Sequence, residues 1–233
     1  MKLLLTNDDG IDAPGLETLV RAARALGHDL VVVAPATHQS WSSHTITANR
    51  GVRVERRGDN RFAVHGTPAD CVRMGLLRLA PDAKWVLSGI NYGANLGADV
   101  YYSGTVAAVR EAVLHGWPGV ALSHYRRKGG EIDDWVRVTP WATSVLSDLL
   151  VRSTQPGLFY SVNLPHLEPK EKKEPQVVFC PLDPNPLPLN YRHEQEENEF
   201  YYEGDYTTRR RKAGADIDVC LRGDIAVTEL RLF

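Results

Sequence analysis

Asn7-Asp8-Asp9-Gly10 sets two adjacent carboxylates directly after the apolar run Leu3-Leu4-Leu5. Neighbouring acids at the end of a buried strand repel each other unless a cation lies between them. At the carboxyl edge of a parallel sheet, where α/β proteins bind ligands, such a pair suits a divalent metal. The same residues also suit an acidic turn, with Gly10 at positive φ and an aspartate capping the next helix. Three other polar loops bear on the choice. Ala34-Pro35-Ala36-Thr37-His38-Gln39-Ser40-Trp41-Ser42-Ser43-His44 offers hydroxyls, and alone it reads as a polar connection. Ser88-Gly89-Ile90-Asn91-Tyr92-Gly93-Ala94-Asn95-Leu96-Gly97 combines glycines and asparagines that permit tight turns and exposed amides, the makings of an anion nest. Ser103-Gly104-Thr105 opens a helix whose free N–H groups and positive dipole end suit a phosphate, although Ser103 equally serves as an ordinary N-cap.

These parts are hard oxygen donors, which favour Mg²⁺ or Mn²⁺ over zinc. The sequence has no HExxH or Cys/His cluster, no GxSxG nucleophile elbow, and neither a Walker A loop nor a GxGxxG fingerprint. Metal-assisted phosphoester hydrolysis is the reaction class that the remaining parts serve best.

The elements that must position them follow from periodicity. Lys2–Thr6 and Leu30–Ala34 are buried strands. Between them Leu16, Leu19, Val20, Ala23 and Leu26 recur at helical spacing before Gly27. Thr67-Pro68-Ala69-Asp70 is a capping box opening a helix to about Leu79. Trp85–Ser88, Val120–Ser123 and Phe159–Asn163 read as further strands, with helices from Ser103 to about Leu114 and over Trp135–Val151 between them. Thr45–Thr47, Val52–Val54 and Phe62–Val64 look like short antiparallel strands. The alternation predicts an α/β, Rossmann-like three-layer sandwich with a mostly parallel sheet and a C-terminal β-hairpin arm. Residues 1–165 are expected to form the catalytic core. Residues 166–233 are expected to form an extended arm and a returning strand, an oligomerisation region of the same domain. Within them Pro181–Pro188 is proline-rich, and Arg209-Arg210-Arg211-Lys212 reads as a solvated loop or hairpin tip.

The 233 residues are 43% hydrophobic and 24% charged with a net charge of −2, which gives no global field toward nucleic acid or an anionic membrane. No apolar run approaches the roughly 20 residues that span a bilayer, and the N-terminal apolar run is too short for a signal peptide. Three scattered cysteines, Cys71, Cys180 and Cys220, read as buried hydrophobes in a reducing compartment, so a cytoplasmic protein is expected.

Taken together, TNDDG, APATHQSWSSHTIT, GTPADCV, SGINYGANLG and SGTVAA, in this order across residues 1–125, resemble the SurE survival-protein family of nucleotidases. The resemblance implies a metal-dependent phosphatase acting on nucleoside 5′- and 3′-monophosphates, with exopolyphosphatase activity in some members. Carried onto matching positions, it makes Asp8, Asp9, Ser40 and Asn91 the ligands of one divalent metal per subunit. Either Asp8 or Asp9 is then the catalytic proton acceptor. Asn95, Ser103, Gly104 and Thr105 would hold the phosphate, and His44 would stand behind the ligands. Trp41 departs from the small residue usual after the ligand serine. Family members form homodimers or homotetramers, and many continue into a helical tail after the last strand, whereas this sequence stops at Phe233. No nucleic acid polymer or membrane is expected as a partner. The rival readings are a receiver domain, which would need an acid where strand three ends at Ser88-Gly89-Ile90-Asn91, and a non-catalytic nucleotide-binding module or sugar-nucleotide transferase on a similar fold.

Overall fold

Leu3, Leu4 and Leu5 are fully buried, so both faces of their strand, β1 (Lys2–Thr6), are covered. A computed structural model describes residues 1–39, 42–127, 135–168, 170–195, 198–204 and 209–233. In it β1 lies inside a nine-stranded sheet with β2 (Asp29–Pro35), β3 (Val54–Gly58), β4 (Arg61–Val64), β5 (Trp85–Tyr92), β6 (Gly119–His124), β7 (Leu158–Leu164), β8 (Val177–Phe179) and β11 (Ile225–Arg231). The order is β3-β4-β2-β1-β5-β6-β7-β11-β8. From β4 to β7 neighbours run parallel; β3 is antiparallel to β4 and β11 to β7. A separate antiparallel pair joins β9 (Tyr191–Glu194) to β10 (Glu199–Tyr202).

Alternation along β1 sends Leu3 and Leu5 to one face and Leu4 to the other. On the first face Leu16, Leu19 and Val20 of α1 (Pro14–Ala25) pack with Val138, Trp141 and Val145 of α4 (Trp135–Leu149). On the second, Cys71 and Val72 of α2 (Pro68–Met74) meet Ala108 and Ala112 of α3 (Gly104–Leu114). The expected three-layer α/β sandwich is therefore present. Among the described residues no helix is long and apolar enough to cross a membrane.

Several local expectations need correction. Thr45–Thr47 forms no strand, because neighbouring side chains take its backbone groups: Thr47 N–H donates to Asp70 Oδ1 (2.9 Å), and the Thr45 carbonyl accepts the Thr67 hydroxyl (2.6 Å). Of Val52–Val54 only Val54 is in a strand. The strand containing Phe62–Val64 does pair antiparallel to β3, but it also extends the parallel sheet beside β2. The helix from Thr67 has its capping box, then turns at Gly75 into a π-helical stretch ending at Leu79. A short helix, α5 (Asp216–Leu221), has no counterpart in the sequence reading.

The order of strands fixes where a ligand belongs. β1 connects toward β2 on one side while β5 continues toward β6 on the other, so the sheet's topological switch point lies between β1 and β5. Asp8 and Asp9 follow β1, and Asn91 lies near the end of β5.

Candidate active site

The turn after β1 is built by Asn7. Its buried side chain donates to the Gly10 carbonyl (2.8 Å) and accepts the Gly10 N–H (3.2 Å), and Gly10 takes φ +107°. This local ring holds the chain so that Asp8 turns inward and Asp9 lies at the surface of the cleft. The loop after β2 is tied to the same turn, since Gln39 N–H donates to the Asp8 carbonyl (2.8 Å) and Ile11 N–H to the Pro35 carbonyl (2.8 Å).

Asp8 is 4% exposed. Its Oδ1 accepts the Thr105 hydroxyl, and among the described residues no basic side chain offsets it. Burial, reinforced by the charge of Asp9, lifts its pKa from 3.8 to about 6 despite the Thr105 bond and backbone N–H groups. The sign of the consequence is clear. A carboxyl raised in the folded state opposes folding once ionised, so the penalty is absent below about pH 4 and complete above about pH 6. Asp9 is also raised by burial, against the Tyr92 N–H on its Oδ2 (2.9 Å) and His38, whose Nδ1 stands 3.4 Å from Oδ1.

Asn91 is aimed by an irregularity in β5. Between Ser88 and Asn91 the pairing with β6 slips by a residue, and Gly89 sits at φ +133° with the Leu122 carbonyl where a Cβ would be. The Asn91 amide donates to the Gly93 carbonyl (2.8 Å), which leaves the carboxamide oxygen as an acceptor for another group. Asn95 is buried; its N–H donates to Asn163 Oδ1 (2.8 Å) and its side-chain amide to Ser123 Oγ (2.7 Å), with a second amide hydrogen remaining. Ser103 caps α3 by accepting the Val106 N–H (3.1 Å). Gly104 brings that helix start against Asp8: a Cβ there would lie 2.9 Å from Asp8 Cβ, and 3.0 Å from both Asp8 Oδ2 and Ser42 Oγ.

Ser40, the fourth sequence-derived ligand, lies outside the described residues, as does Trp41. Nearby Ser42 has a buried hydroxyl with no hydrogen-bond partner among the described residues. Among the described residues no three His, Cys, Asp or Glu side chains converge as a metal cluster. A cation here would instead be held by the two carboxylates with neutral oxygens from carboxamide and hydroxyl groups. Two adjacent carboxylates, the inner one raised by burial and the outer one met only by His38 and a backbone N–H among the described residues, beside a buried hydroxyl fit a hard divalent ion.

His44 does not face this cleft through its described bond. Its Nε2 meets Glu111 Oε2 (2.7 Å), and Glu111 Oε1 also accepts Arg73 Nε (2.6 Å) and meets His115 Nε2 (3.0 Å). Those three partners hold the Glu111 carboxyl down at about 2, even though it is buried. Glu111 was missed in the sequence, although its spacing of four from His115 on a helix was a usable signal. Its cluster joins α2, α3 and the segment leading from Ser42.

A cavity of about 370 Å³ opens beside Asp8, lined by Asn91, Asn95 and Ser103 on the sheet side and by Tyr102 next to them. The opposite wall was not foreseen: Leu187, Tyr202, Gly204 and Arg209 come from the C-terminal segment. Arg209, expected in a solvated run, is buried and pairs with Asp99 (2.9 Å) at the cavity wall. Asp216, also buried, ties that segment down by accepting the N–H groups of Gly97 (2.7 Å), Asp183 (2.8 Å) and Ile217 (2.9 Å).

Comparison with known proteins places this arrangement. The family model described as Survival protein SurE matches residues 3–183. A Nostoc sp. protein whose name carries the term 5′-nucleotidase is 50% identical over 232 residues, covering 100% of each chain. The 5′-nucleotidase SurE of Methylorubrum extorquens is 39% identical over 100% of this chain and 93% of its own. The crystal structure of the SurE protein from Aquifex aeolicus superposes with a TM-score of 0.85 at 28% identity, covering 100% of this chain and 94% of that one.

Proposed function

Because the chain belongs to the survival protein SurE family, we propose that it is a cytoplasmic, divalent-metal-dependent phosphomonoesterase acting on nucleoside monophosphates. The substrates are nucleoside 5′- and 3′-monophosphates, with short polyphosphate as a further one. The observation that carries this reading is the adjacent Asp8–Asp9 pair, both raised by burial, lying against the N-terminus of α3 at a cavity with tyrosines in its wall.

Asp8, Asp9 and Asn91, with Ser40 from the adjoining loop, hold one Mg²⁺ or Mn²⁺ per subunit. The chemistry that such an ion supplies is polarisation of a phosphoryl oxygen and acidification of a water. The chain's own groups do the rest. The backbone N–H groups opening α3 and the remaining Asn95 amide hydrogen face the transferring phosphoryl oxygens, where charge builds in the transition state. Either Asp8 or Asp9 takes the proton of the attacking water. Tyr102 and Tyr202 present aromatic surface on which a nucleobase can stack. The chain acts as a homodimer or homotetramer in this reading, and the exposed Leu189 and Phe200 of the C-terminal segment offer apolar surface for it.

Phosphate release from adenosine 5′-monophosphate, measured with Mn²⁺, with Mg²⁺ and with excess chelator, tests the proposal. Turnover that chelator abolishes and added metal restores is expected. Nucleotide binding without release, or release indifferent to chelator, overturns it; the first result would instead fit a non-catalytic binding module.

A further inference from the structure

Beyond the ends of β6 and β7 a second, polar cavity of about 330 Å³ lies between the segment after β7 and the C-terminal end of α5. It shares no lining residue with the cavity beside Asp8. Arg127, Arg211, Arg222 and His166 line it, together with Glu168 and Glu171. The His166 side chain is only 9% exposed, and its buried Nε2 has no hydrogen-bond partner among the described residues; Glu168 Oε1 stops 3.8 Å away. An imidazole nitrogen left in this state is costly unless a ligand completes it.

The arginines are loosely held. Arg127 stands 3.5 Å from Glu168, and Arg211 and Arg222 stand 3.9 and 3.6 Å from the same Asp218 carboxylate. Charge-assisted bonds close to about 2.7–2.9 Å, so these guanidiniums keep donors for something else. Asp218 is further engaged by the Gly214 N–H (2.9 Å), and Glu171 Oε2 accepts the Glu168 N–H (3.0 Å). Two of the three carboxylates near these arginines thus spend acceptor capacity on backbone N–H groups. The frame around them is fixed: Arg137 donates to the Leu167 (3.4 Å), Glu168 (3.0 Å) and Glu171 carbonyls, and Lys173 Nζ donates to the Arg222 carbonyl (3.0 Å).

We propose that this cavity is a second anion site, which takes a phosphate group, free or as a phosphomonoester, among Arg127, Arg211 and Arg222 with the His166 imidazole as a further donor. Planar forks that match phosphate oxygens are what such a site requires. The proposal does not depend on the catalytic reading.

The test follows the imidazole signals of the full chain labelled with ¹⁵N-histidine, with His166 assigned by its loss in His166→Gln. Sodium phosphate and a non-hydrolysable methylene phosphonate of adenosine are titrated separately, against sodium chloride at matched ionic strength. A saturable His166 shift with either phosphate or phosphonate, absent in chloride, is expected, and the arm that responds identifies free phosphate or ester. The double variant Arg211→Ala/Arg222→Ala, whose side chains are about half exposed, should weaken the midpoint about tenfold or more and leave nucleotide turnover unchanged. No His166 response to either probe, an equal response to chloride, or an unmoved midpoint in the double variant overturns the proposal. None of these readings involves catalysis, so their failure is distinct from failure of the nucleotidase assignment.

Discussion

Asp8 and Asp216 are the same residue type at similar depth, 4% and 1% exposed, and the molecule uses them in opposite ways. Asp216 gives its oxygens to the backbone N–H groups of three segments, and so holds the C-terminal portion against the Leu96–Gly97 turn. Asp8 accepts the Thr105 hydroxyl and nearby backbone N–H groups, faces a second carboxylate at the next residue, and meets no basic side chain among the described residues. Burial raises the pKa of both. Depth and titration therefore do not separate a structural acid from a functional one. Their settings do: Asp216 joins backbone groups of distant segments, whereas Asp8 lines a cavity beside a second acid.

That contrast can be broken by substitution. The largest effect is expected for Asp9→Asn: metal-dependent phosphate release should fall on the order of a hundredfold or more, beyond the 10–100-fold typical of outer-shell partners. Because ionised Asp9 is disfavoured by burial, the thermal midpoint should hold or rise in the same variant. Full turnover in Asp9→Asn would remove the ligand assignment.

Glu111→Gln tests a third kind of buried acid, one compensated by three bases. Leaving Arg73 and the histidines without their charge should lower stability by about 3 kcal/mol. The Glu111 carboxyl is held at about 2, below its ordinary 4.5. Its contribution is therefore present above about pH 4.5 and lost as pH falls toward about 2. Denaturant melts across that range should show the gap between wild type and variant closing; a constant gap would mean the charge is not the cause.

Asp216→Asn replaces one acceptor oxygen by a donor that faces an N–H group. A loss of about 2 kcal/mol is expected, with Mn²⁺ affinity unchanged. If affinity fell as much as in Asp9→Asn, the separation between the two acids would fail. The smallest effect belongs to Gly104→Ala, whose Cβ would crowd Asp8 at 2.9 Å. Apparent Mn²⁺ affinity by calorimetry should weaken about tenfold, while helix stability changes by less than about 1 kcal/mol.

The sequence made the core strands legible because parallel strands buried on both faces are continuous apolar runs, as Leu3–Leu5 and Leu30–Ala34 are. Thr67-Pro68-Ala69-Asp70 was legible because a capping box is local. What escaped depends on partners far along the chain. Thr45–Thr47 alternates like a strand, yet Asp70 and Thr67 supply its hydrogen bonds. Arg209 stands in a basic run that looks solvated, and Asp99, 110 positions away, pairs with it where it is buried. The acids of the cleft were visible as types and spacing, but the burial that raises both is a property of the folded neighbourhood.

The position of β11 carries a consequence for how the molecule is made. It pairs with β7 on one side and β8 on the other, although β8 precedes it in the chain. A growing polypeptide can therefore assemble β1 to β7, and with them the acidic cleft, while β8 has no strand to dock on. The segment between β8 and β11, which supplies the far wall of the cavity, is enclosed at both ends only when β11 arrives. The acidic side of the cleft is thus early in synthesis and its far wall late, and a ribosome stalled between them would display the first without the second.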